Sequence, residues 1–310
     1  MLIHHGIDQL PTIKNAVVTS GTFDGVHLGH RHILKRLQQI AKQSKGESVV
    51  ITFWPHPRLV LFPESGDNLK LLNTFEEKAK LLEEVGIDHL VRIPFTKEFS
   101  RLTSVEFINQ VLIDKLNTKK LVIGYDHKFG RNREGSFEHL KANAQDYGFE
   151  VEEIPRQDIE NVGVSSTLIR KTLSEGKVEE SNKYLSHPYT ISGQVIKGKQ
   201  LGRTLGFPTA NISINNPYKL IPSNGVYAVR AELNSISIEG MLNIGVRPTV
   251  DGKLRSIEVH LFDFDKEIYG KTLTLNLIKR VREEIKFKNT DELKNQLMKD
   301  EKLVIEILNH

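Results

Sequence analysis

The sequence predicts an α/β doubly wound parallel sheet followed by a small antiparallel β-barrel domain with a C-terminal helix. Three observations carry this expectation. The chain has 310 residues, and at about 100–200 residues per domain that length favours two domains. Strand-like and helix-like periods alternate up to about residue 185. Beyond it, strand-like stretches joined by Gly, Asn and Pro turns take over until one terminal helix. The expected division is residues 1–185 and 186–310.

In the first part, AVVTSGTF (16–23) is a short apolar run ending in a glycine turn and reads as a buried strand. HRHILKRLQQIAKQS (30–44) then puts Ile33, Leu34, Leu37, Ile40 and Ala41 on one helical stripe. SVVITFW (48–54) is strand-like and stops at Pro55. Thr74 with Glu77 forms a capping box for a helix closed by Gly86, and Thr103 with Glu106 repeats the device before Phe107, Ile108, Val111 and Leu112. HLVRIPF (89–95) and KLVIGY (120–125) are further strands. A helix around 136–147, a strand at 149–155 and a helix opening near Ser166 follow. Near-continuous apolar strands alternating with helices imply a parallel sheet covered on both faces. Ligands of such sheets bind outside the carboxyl ends of the strands. Chemistry is therefore expected in the loops at 20–30, 54–58, 124–135 and 161–167. In the second part, SHPYTISGQVIKG, GVYAVRAEL, ISIEGMLNIG, SIEVHLFDF and TLTLNLIKRV read as strands and Thr290 to Leu308 as a helix.

Composition excludes several classes. Forty-three Lys and Arg against 39 Asp and Glu give a net charge of +4, interspersed along the chain, so no basic patch or tail marks a nucleic-acid reader. The absence of cysteine removes disulfide scaffolds, thiolate nucleophiles and Cys-ligated zinc or iron–sulfur centres. No window approaches the roughly 18 apolar residues of a membrane helix, and MLIHHGIDQLP lacks the regions of a signal peptide. The expected class is a soluble, cytoplasmic protein without nucleic-acid or membrane partners.

GTFDGVHLGH (21–30) joins the first strand to the first helix. Glycines 21, 25 and 29 would permit positive φ and close approach of a ligand to the backbone. His27 and His30 fall on one face of the first helical turn, beside the N–H groups that make a helix N-terminus an anion site. Two imidazoles there suit a polyphosphate whose α-phosphate and leaving group gain charge. Standing alone, the pair would more often be surface or capping residues. A zinc site is not supported, since no third ligand lies nearby. The strand–turn–helix setting resembles the HxGH signature of the nucleotidyltransferase superfamily, which is related to class I aminoacyl-tRNA synthetases. Gly21, Phe23, Asp24 and Gly25 belong to this expected ATP-binding turn.

NVGVSSTLIRKTL (161–173) places Ser166 and Thr167 at a helix start with Arg170 one turn on, a second phosphate clamp built from hydroxyls, a helix dipole and a guanidinium. No KMSKS-like segment or anticodon-type region accompanies it, which disfavours a synthetase. TFWPHP (52–57), LLNTFEEKAKLLEEVGIDH (71–89), FTKEFSRL (95–102) and GYDHKFGRNREG (124–135) resemble successive blocks of the bacterial FMN adenylyltransferase module. His127 stands where an aromatic Phe is common in that family, and Trp54 where Glu is frequent. By this resemblance Trp54 and Asp126 are candidate flavin-binding residues; a structural role fits each equally well.

GQVIKGKQ (193–200) nearly spells a Walker A loop, but Gln200 replaces the Ser or Thr that would hold magnesium and no helix is expected after it. GKQLGRTLGFPTANI (198–212) instead resembles the signature of riboflavin kinase. That resemblance implies that Gly198, Lys199, Gly202 and Arg203 cover ATP. It also implies that Thr209 and Asn211 contact Mg²⁺ and phosphate and that Pro208 stiffens their turn. NGVYAV (224–229), LNIGVRPT (242–249), IEVHLFDFDKEIYG (257–270) and VREEIKFKNTDEL (281–293) continue the likeness, with Glu258 at the family's general-base position. Phe262, Phe264 and Tyr269 could wall a flavin ring, though core packing is the default for such residues.

The whole chain thus resembles the bacterial bifunctional riboflavin kinase/FMN adenylyltransferase family. The implied reactions are riboflavin + ATP to FMN + ADP in the barrel and FMN + ATP to FAD + pyrophosphate in the sheet domain. Riboflavin, FMN, FAD, ATP and Mg²⁺ are the implied ligands. His27 and His30 would face the polyphosphate, and Ser166, Thr167 and Arg170 the departing pyrophosphate. Two other classes stay open: an enzyme that retains one activity, and a non-enzymatic flavin- or nucleotide-responsive binder. Oligomeric state is not legible.

Overall fold

A computed structural model of the chain describes residues 1–63, 69–124, 128–154, 163–198, 201–249 and 252–309, with residues 133, 201, 247–249 and 252–254 described by backbone alone. The chain divides into two compact units, Met1–Ser165 and Ser166–His310.

The first unit runs β1 (Leu2–His5), β2 (Val17–Ser20), α1 (Leu28–Gln43), β3 (Ser48–Trp54), α2 (Pro57–Leu61), α3 (Phe75–Val85), β4 (His89–Pro94), α4 (Ser104–Phe107), β5 (Lys120–Gly124), α5 (Phe137–Ala142), α6 (Ala144–Tyr147) and β6 (Glu150–Ile154). The strands form one sheet in the order β1-β4-β3-β2-β5-β6, every neighbouring pair parallel. Consecutive residues of each strand serve opposite faces, as a two-residue period requires. Val18, Val49, Ile51, Val91, Leu121 and Ile123 join the cluster with Phe107, Ile108 and Val111. Val17, Val50, Leu90 and Val122 join the one with Leu34, Leu37, Phe75 and Leu82. Two buried faces explain the uninterrupted apolar strands. Both expected capping boxes are formed, at Thr74/Glu77 and Thr103/Glu106.

Three details differ from expectation. LIHH was not expected to be a strand, yet β1 pairs with β4 at the sheet edge, where a short and largely exposed strand needs no apolar pattern. The helix expected around 136–147 breaks at Asn143 into α5 and α6. The helix after Thr103 continues from α4 into a π-helical segment, Ile108–Ile113.

The second unit runs α7 (Ser166–Ser174), α8 (Val178–Leu185), β7 (Tyr189–Ile196), α9 (Leu201–Leu205), β8 (Ala210–Ser213), β9 (Gly225–Leu233), β10 (Ile236–Thr249), β11 (Gly252–Leu261), β12 (Thr272–Arg282) and α10 (Thr290–Leu308). Its six strands close into an antiparallel barrel in the order β10-β11-β8-β7-β12-β9. Closure leaves no free edge. Leu273, Leu275 and Leu277 of β12 are fully buried and alternate with Thr272, Thr274 and Asn276. The pattern change near residue 186 marks the start of β7. The compact units divide earlier, at Ser165/Ser166, because α8 packs on the barrel: Asn182 donates to the Leu277 carbonyl (2.8 Å) and accepts from the Tyr189 N–H (2.7 Å). The short α9 corrects the expectation that no helix follows Gln200, a residue outside those described. The P-loop is still disfavoured by Gln200 itself.

The terminal helix α10 lays Val304 and Leu308 over Val226, Ala228 and Met241. It is pinned by Arg282, whose guanidinium meets the buried Asp300 carboxylate through Nε (2.9 and 3.0 Å) and Nη2 (2.7 Å). Removing one partner strands the other charge in a place it shares with little water. Asp300→Ala is therefore expected to destabilise the barrel unit by about 3 kcal/mol, read as a lower denaturant midpoint for a probe on α10.

Candidate functional site

In the first unit the chain leaves β2 in two directions: β3 and β4 lie on one side, β5 and β6 on the other. The carboxyl ends of β2 and β5 therefore mark the topological switch point, where open α/β sheets bind ligands. The turn from β2 to α1 sits there.

This turn is held from outside by the segment leading into α3. The Asp24 carboxylate, 3% exposed, accepts the Leu72 N–H (3.0 and 3.1 Å) and the Asn73 N–H (3.3 Å). The Asn73 amide oxygen accepts the Gly25 N–H (2.8 Å). From α3, the buried Lys78 ammonium donates to the Thr22 carbonyl (2.6 Å) and the Thr52 hydroxyl (3.2 Å). Asp24 and Phe23 are thus turned inward, and the turn offers a ligand mainly its backbone. Of the three glycines expected to supply positive φ, only Gly25 does (+91°). Gly29 is inside α1, and Gly21 instead lies against the Phe23 ring. The left-handed positions beside Gly25 are Phe23 (+46°) and Val26 (+41°), a strain of about 1–2 kcal/mol each that the external bonds must offset.

His27 is the N-cap of α1, its Nδ1 accepting the His30 N–H at 3.4 Å. The two rings stack at 3.7 Å with 16° between planes, and Phe23 meets His30 edge-on at 5.2 Å. His27 thus caps the helix while its ring lies paired with that of His30. Among the described residues, the buried His30 Nδ1 has no hydrogen-bond partner. Burial first, then the neighbouring His27 and Lys78, hold the His30 imidazole well below the ordinary histidine range, so it is neutral at pH 7. A neutral imidazole keeps one N–H to donate toward developing negative charge. Trp54, at the end of β3, packs 6.0 Å from Phe75 with the Lys78 ammonium 5.5 Å from its ring. Asp126 and His127 lie outside the described residues.

Ser166, Thr167 and Arg170 open α7 as expected, in the second unit. In the barrel, the sequence-predicted kinase residues come together across β8 and β11. Glu258 stands opposite Asn211 in the antiparallel register, and Val259 opposite Ala210. A Cβ at Gly198 would run into the Asn211 amide, and one at Gly202 into the Phe207 carbonyl, with Thr209 Oγ1 3.4 Å away. Glycine is therefore required at both places for the segment to lie on the PTAN turn. Arg203 is exposed on α9, and Lys199 is outside the described residues. Tyr269 is exposed at the barrel rim with the Lys197 ammonium 5.7 Å from its ring. Phe262 packs against the cluster under α10.

Sequence reasoning missed Lys78 and His260, the latter donating from Nδ1 to the Pro208 carbonyl at 2.7 Å. Each acts on a partner far away in sequence. For Lys78, burial lowers the ammonium pKa to about 8, with Asp24 opposing the shift. Between pH 8 and 10.5 the unfolded chain holds a proton that the folded chain releases, so stability rises with pH over that window. We expect wild type to gain about 2–3 kcal/mol from pH 7.5 to 10 relative to Lys78→Met. Denaturant unfolding followed at Trp54 would check this, and parallel pH profiles of the two proteins would contradict it.

Two families match the chain in tandem: FAD synthetase over residues 10–168 and riboflavin kinase over residues 185–308. The bifunctional riboflavin kinase/FMN adenylyltransferase of Listeria monocytogenes is 40% identical, covering 96% of this chain and 95% of its own length. That of Escherichia coli is 38% identical over 96% and 94%. A crystal structure described as a macrolide-efflux protein from Streptococcus pneumoniae superposes with a TM-score of 0.87 at 31% identity, covering 98% of this chain and 99% of that one. On this combination of tandem modules and near-complete coverage, the chain belongs to the bifunctional riboflavin kinase/FMN adenylyltransferase family.

Proposed function

We infer that this chain makes FAD from riboflavin in two ATP-consuming steps. The barrel transfers the γ-phosphoryl group of ATP to riboflavin, giving FMN and ADP. The parallel-sheet domain transfers the adenylyl group of a second ATP to FMN, giving FAD and pyrophosphate. We assign the first activity to residues 186–310 and the second to residues 1–185. The observation that carries this reading is the pairing of sites with modules. The HxGH turn at the sheet's switch point lies within the FAD synthetase match, and the Glu258–Asn211 pair lies within the riboflavin kinase match.

Both reactions are attacks on phosphorus, which need positioning and charge neutralisation more than covalent chemistry. In the kinase step Glu258 accepts the proton of the attacking primary hydroxyl. Gly198, Lys199, Gly202 and Arg203 cover the triphosphate. Thr209 and Asn211 present a hydroxyl and an amide oxygen, hard donors that fit Mg²⁺. The cation, when bound, neutralises phosphate charge. In the adenylyl step, His27 and His30 donate toward the α-phosphate and leaving group, while the Gly21–Gly25 turn and the start of α1 supply backbone N–H groups. The roles of Ser166, Thr167 and Arg170 toward pyrophosphate, and of Trp54, Asp126, Phe262 and Tyr269 toward flavin, rest on the family resemblance alone. ATP as co-substrate of both steps favours the cytoplasm. Among the described residues no helix is long and apolar enough to cross a membrane.

With purified protein, riboflavin and Mg-ATP, FMN is expected to form first and FAD after it. Formation of FMN alone would leave a single-activity kinase, and salt-dependent nucleic-acid binding without any flavin product would favour the binder. His30→Ala should lower adenylyl transfer by about 100-fold and leave riboflavin phosphorylation near wild type; equal loss of both would overturn the two-site assignment. Glu258→Ala and Asn211→Ala should abolish FMN formation while added FMN is still adenylylated. A wild-type kinase rate in Glu258→Ala would remove it from the base role.

A further inference from the structure

The β8–β11 ladder is short. It pairs Glu258 with Asn211 and Val259 with Ala210. The next rung would set His260 against Thr209, but β8 begins at Ala210 and the pairing ends there. The side chain takes over where the backbone pairing stops. His260 Nδ1 lies 2.7 Å from the Pro208 carbonyl oxygen. A carbonyl only accepts, so Nδ1 carries the proton. The imidazole is 8% exposed and is gripped edge-on by Phe207 (5.3 Å) and Phe262 (5.7 Å). Its other nitrogen, Nε2, faces the Glu301 carboxylate of α10 at 3.7 Å. Phe207 in turn donates its N–H to the Gly202 carbonyl (2.8 Å). One ring therefore bonds the Pro208 carbonyl and lies near Glu301 of the terminal helix, beside a phenylalanine tied to the glycine segment.

We propose that His260 is a positioning residue of the kinase site: its Nδ1–H bond to the Pro208 carbonyl fixes the turn so that Thr209 and Asn211 are presented to Mg²⁺ and the phosphates of ATP. This rests on the reading of the barrel as the kinase and of Thr209 and Asn211 as ligands. His260 lies on the same strand face as Glu258, two residues away, so the strand that carries the base also sets the turn that carries the ligands. Asn211 is paired on both sides, with Glu258 of β11 and Ile196 of β7, whereas Thr209 precedes the first paired residue, Ala210, and losing the bond at Pro208 leaves the Pro208–Thr209 stretch freer to shift.

Two substitutions separate the bond from the bulk. His260→Phe keeps an aromatic ring between Phe207 and Phe262 and removes the donor. His260→Asn places an amide N–H where Nδ1 stood. In His260→Phe we expect the kinase KM for Mg-ATP to rise about tenfold, with the KM for riboflavin and the adenylylation of added FMN near wild type. His260→Asn should recover most of the difference. Hydrogen–deuterium exchange without ligand gives an independent readout: the peptide spanning residues 207–213 should exchange about tenfold faster in His260→Phe and near the wild-type rate in His260→Asn. Unchanged exchange and KM in His260→Phe, or an Asn variant as impaired as the Phe variant, would overturn the proposal. So would a loss that falls equally on both substrates and both activities, which is what a general packing defect produces. Asn211→Ala separates the two levels. If it phosphorylates riboflavin normally, the ligand assignment itself fails; if it is inactive while His260→Phe is normal, only the role of His260 fails.

Discussion

The first unit is organised around a buried ammonium group. Lys78 is 2% exposed, and among the described residues no carboxylate lies within ion-pair distance of it. Its hydrogen bonds go to the Thr22 carbonyl and the Thr52 hydroxyl. Taking a charge out of water is expensive, and the arrangement persists because the rest of the segment is built for it. The capping box at Thr74 starts α3 immediately after Asn73. Leu72 and Asn73 hold Asp24, Asn73 holds Gly25, and Lys78, one turn into the helix, reaches Thr22. A stretch of seven residues thus grips the β2–α1 turn at both sides of Phe23. Hydrogen bonds to charged groups contribute about 1.5–3 kcal/mol each, enough to hold two left-handed non-glycine residues. The stacked His27 and His30 inherit their geometry from that grip.

The barrel solves a similar problem with a different device. Among the described residues no long helix begins at the segment before β8. Four residues of β8 carry Asn211, and two rungs attach it to β11. Glycine at 198 and 202 lets the covering segment approach so closely that a methyl group would collide with it. The ladder between β8 and β11 ends at Ala210, and beyond it the His260 side chain takes up the Pro208 carbonyl. The terminal helix enters the site through this ring and through Asp300, the residue before Glu301, which Arg282 holds.

Much of this was legible in the sequence because it is local. A capping box needs only Thr, two residues and Glu, and both formed. Apolar runs reported strands covered on two faces, and alternation in TLTLNLIKRV reported a strand with one inner face. The HxGH and PTAN segments were legible because several residue types with one chemistry stand side by side. What escaped reading depends on partners distant in the chain. Lys78 looks like any lysine of an amphipathic helix until Thr22 and Thr52 come within its reach, and His260 like any residue of an alternating strand until the Pro208 carbonyl meets it. β1 escaped because an edge strand can be polar, and α9 because five residues carry too little periodicity. The left-handed conformations at Phe23 and Val26 contradict their own preferences, which is characteristic of a turn whose shape is imposed from outside.

Each of these networks is made from residues of a single unit: Thr22, Asp24, Asn73 and Lys78 in the first, Pro208, Asn211, Glu258, His260 and Glu301 in the second. Free energies of substitutions without shared partners add, whereas those within one network do not. Lys78 and Asp24 share the turn they hold, so removing both costs less than the sum of removing each. His260 and Asn211 share the β8 turn and are subject to the same non-additivity. A pair drawn from different units, such as Lys78 and His260, has no partner in common. The constraint that makes each turn rigid is therefore also what makes the two networks separable: each is held by a short, closed set of hydrogen bonds rather than by a framework shared along the chain.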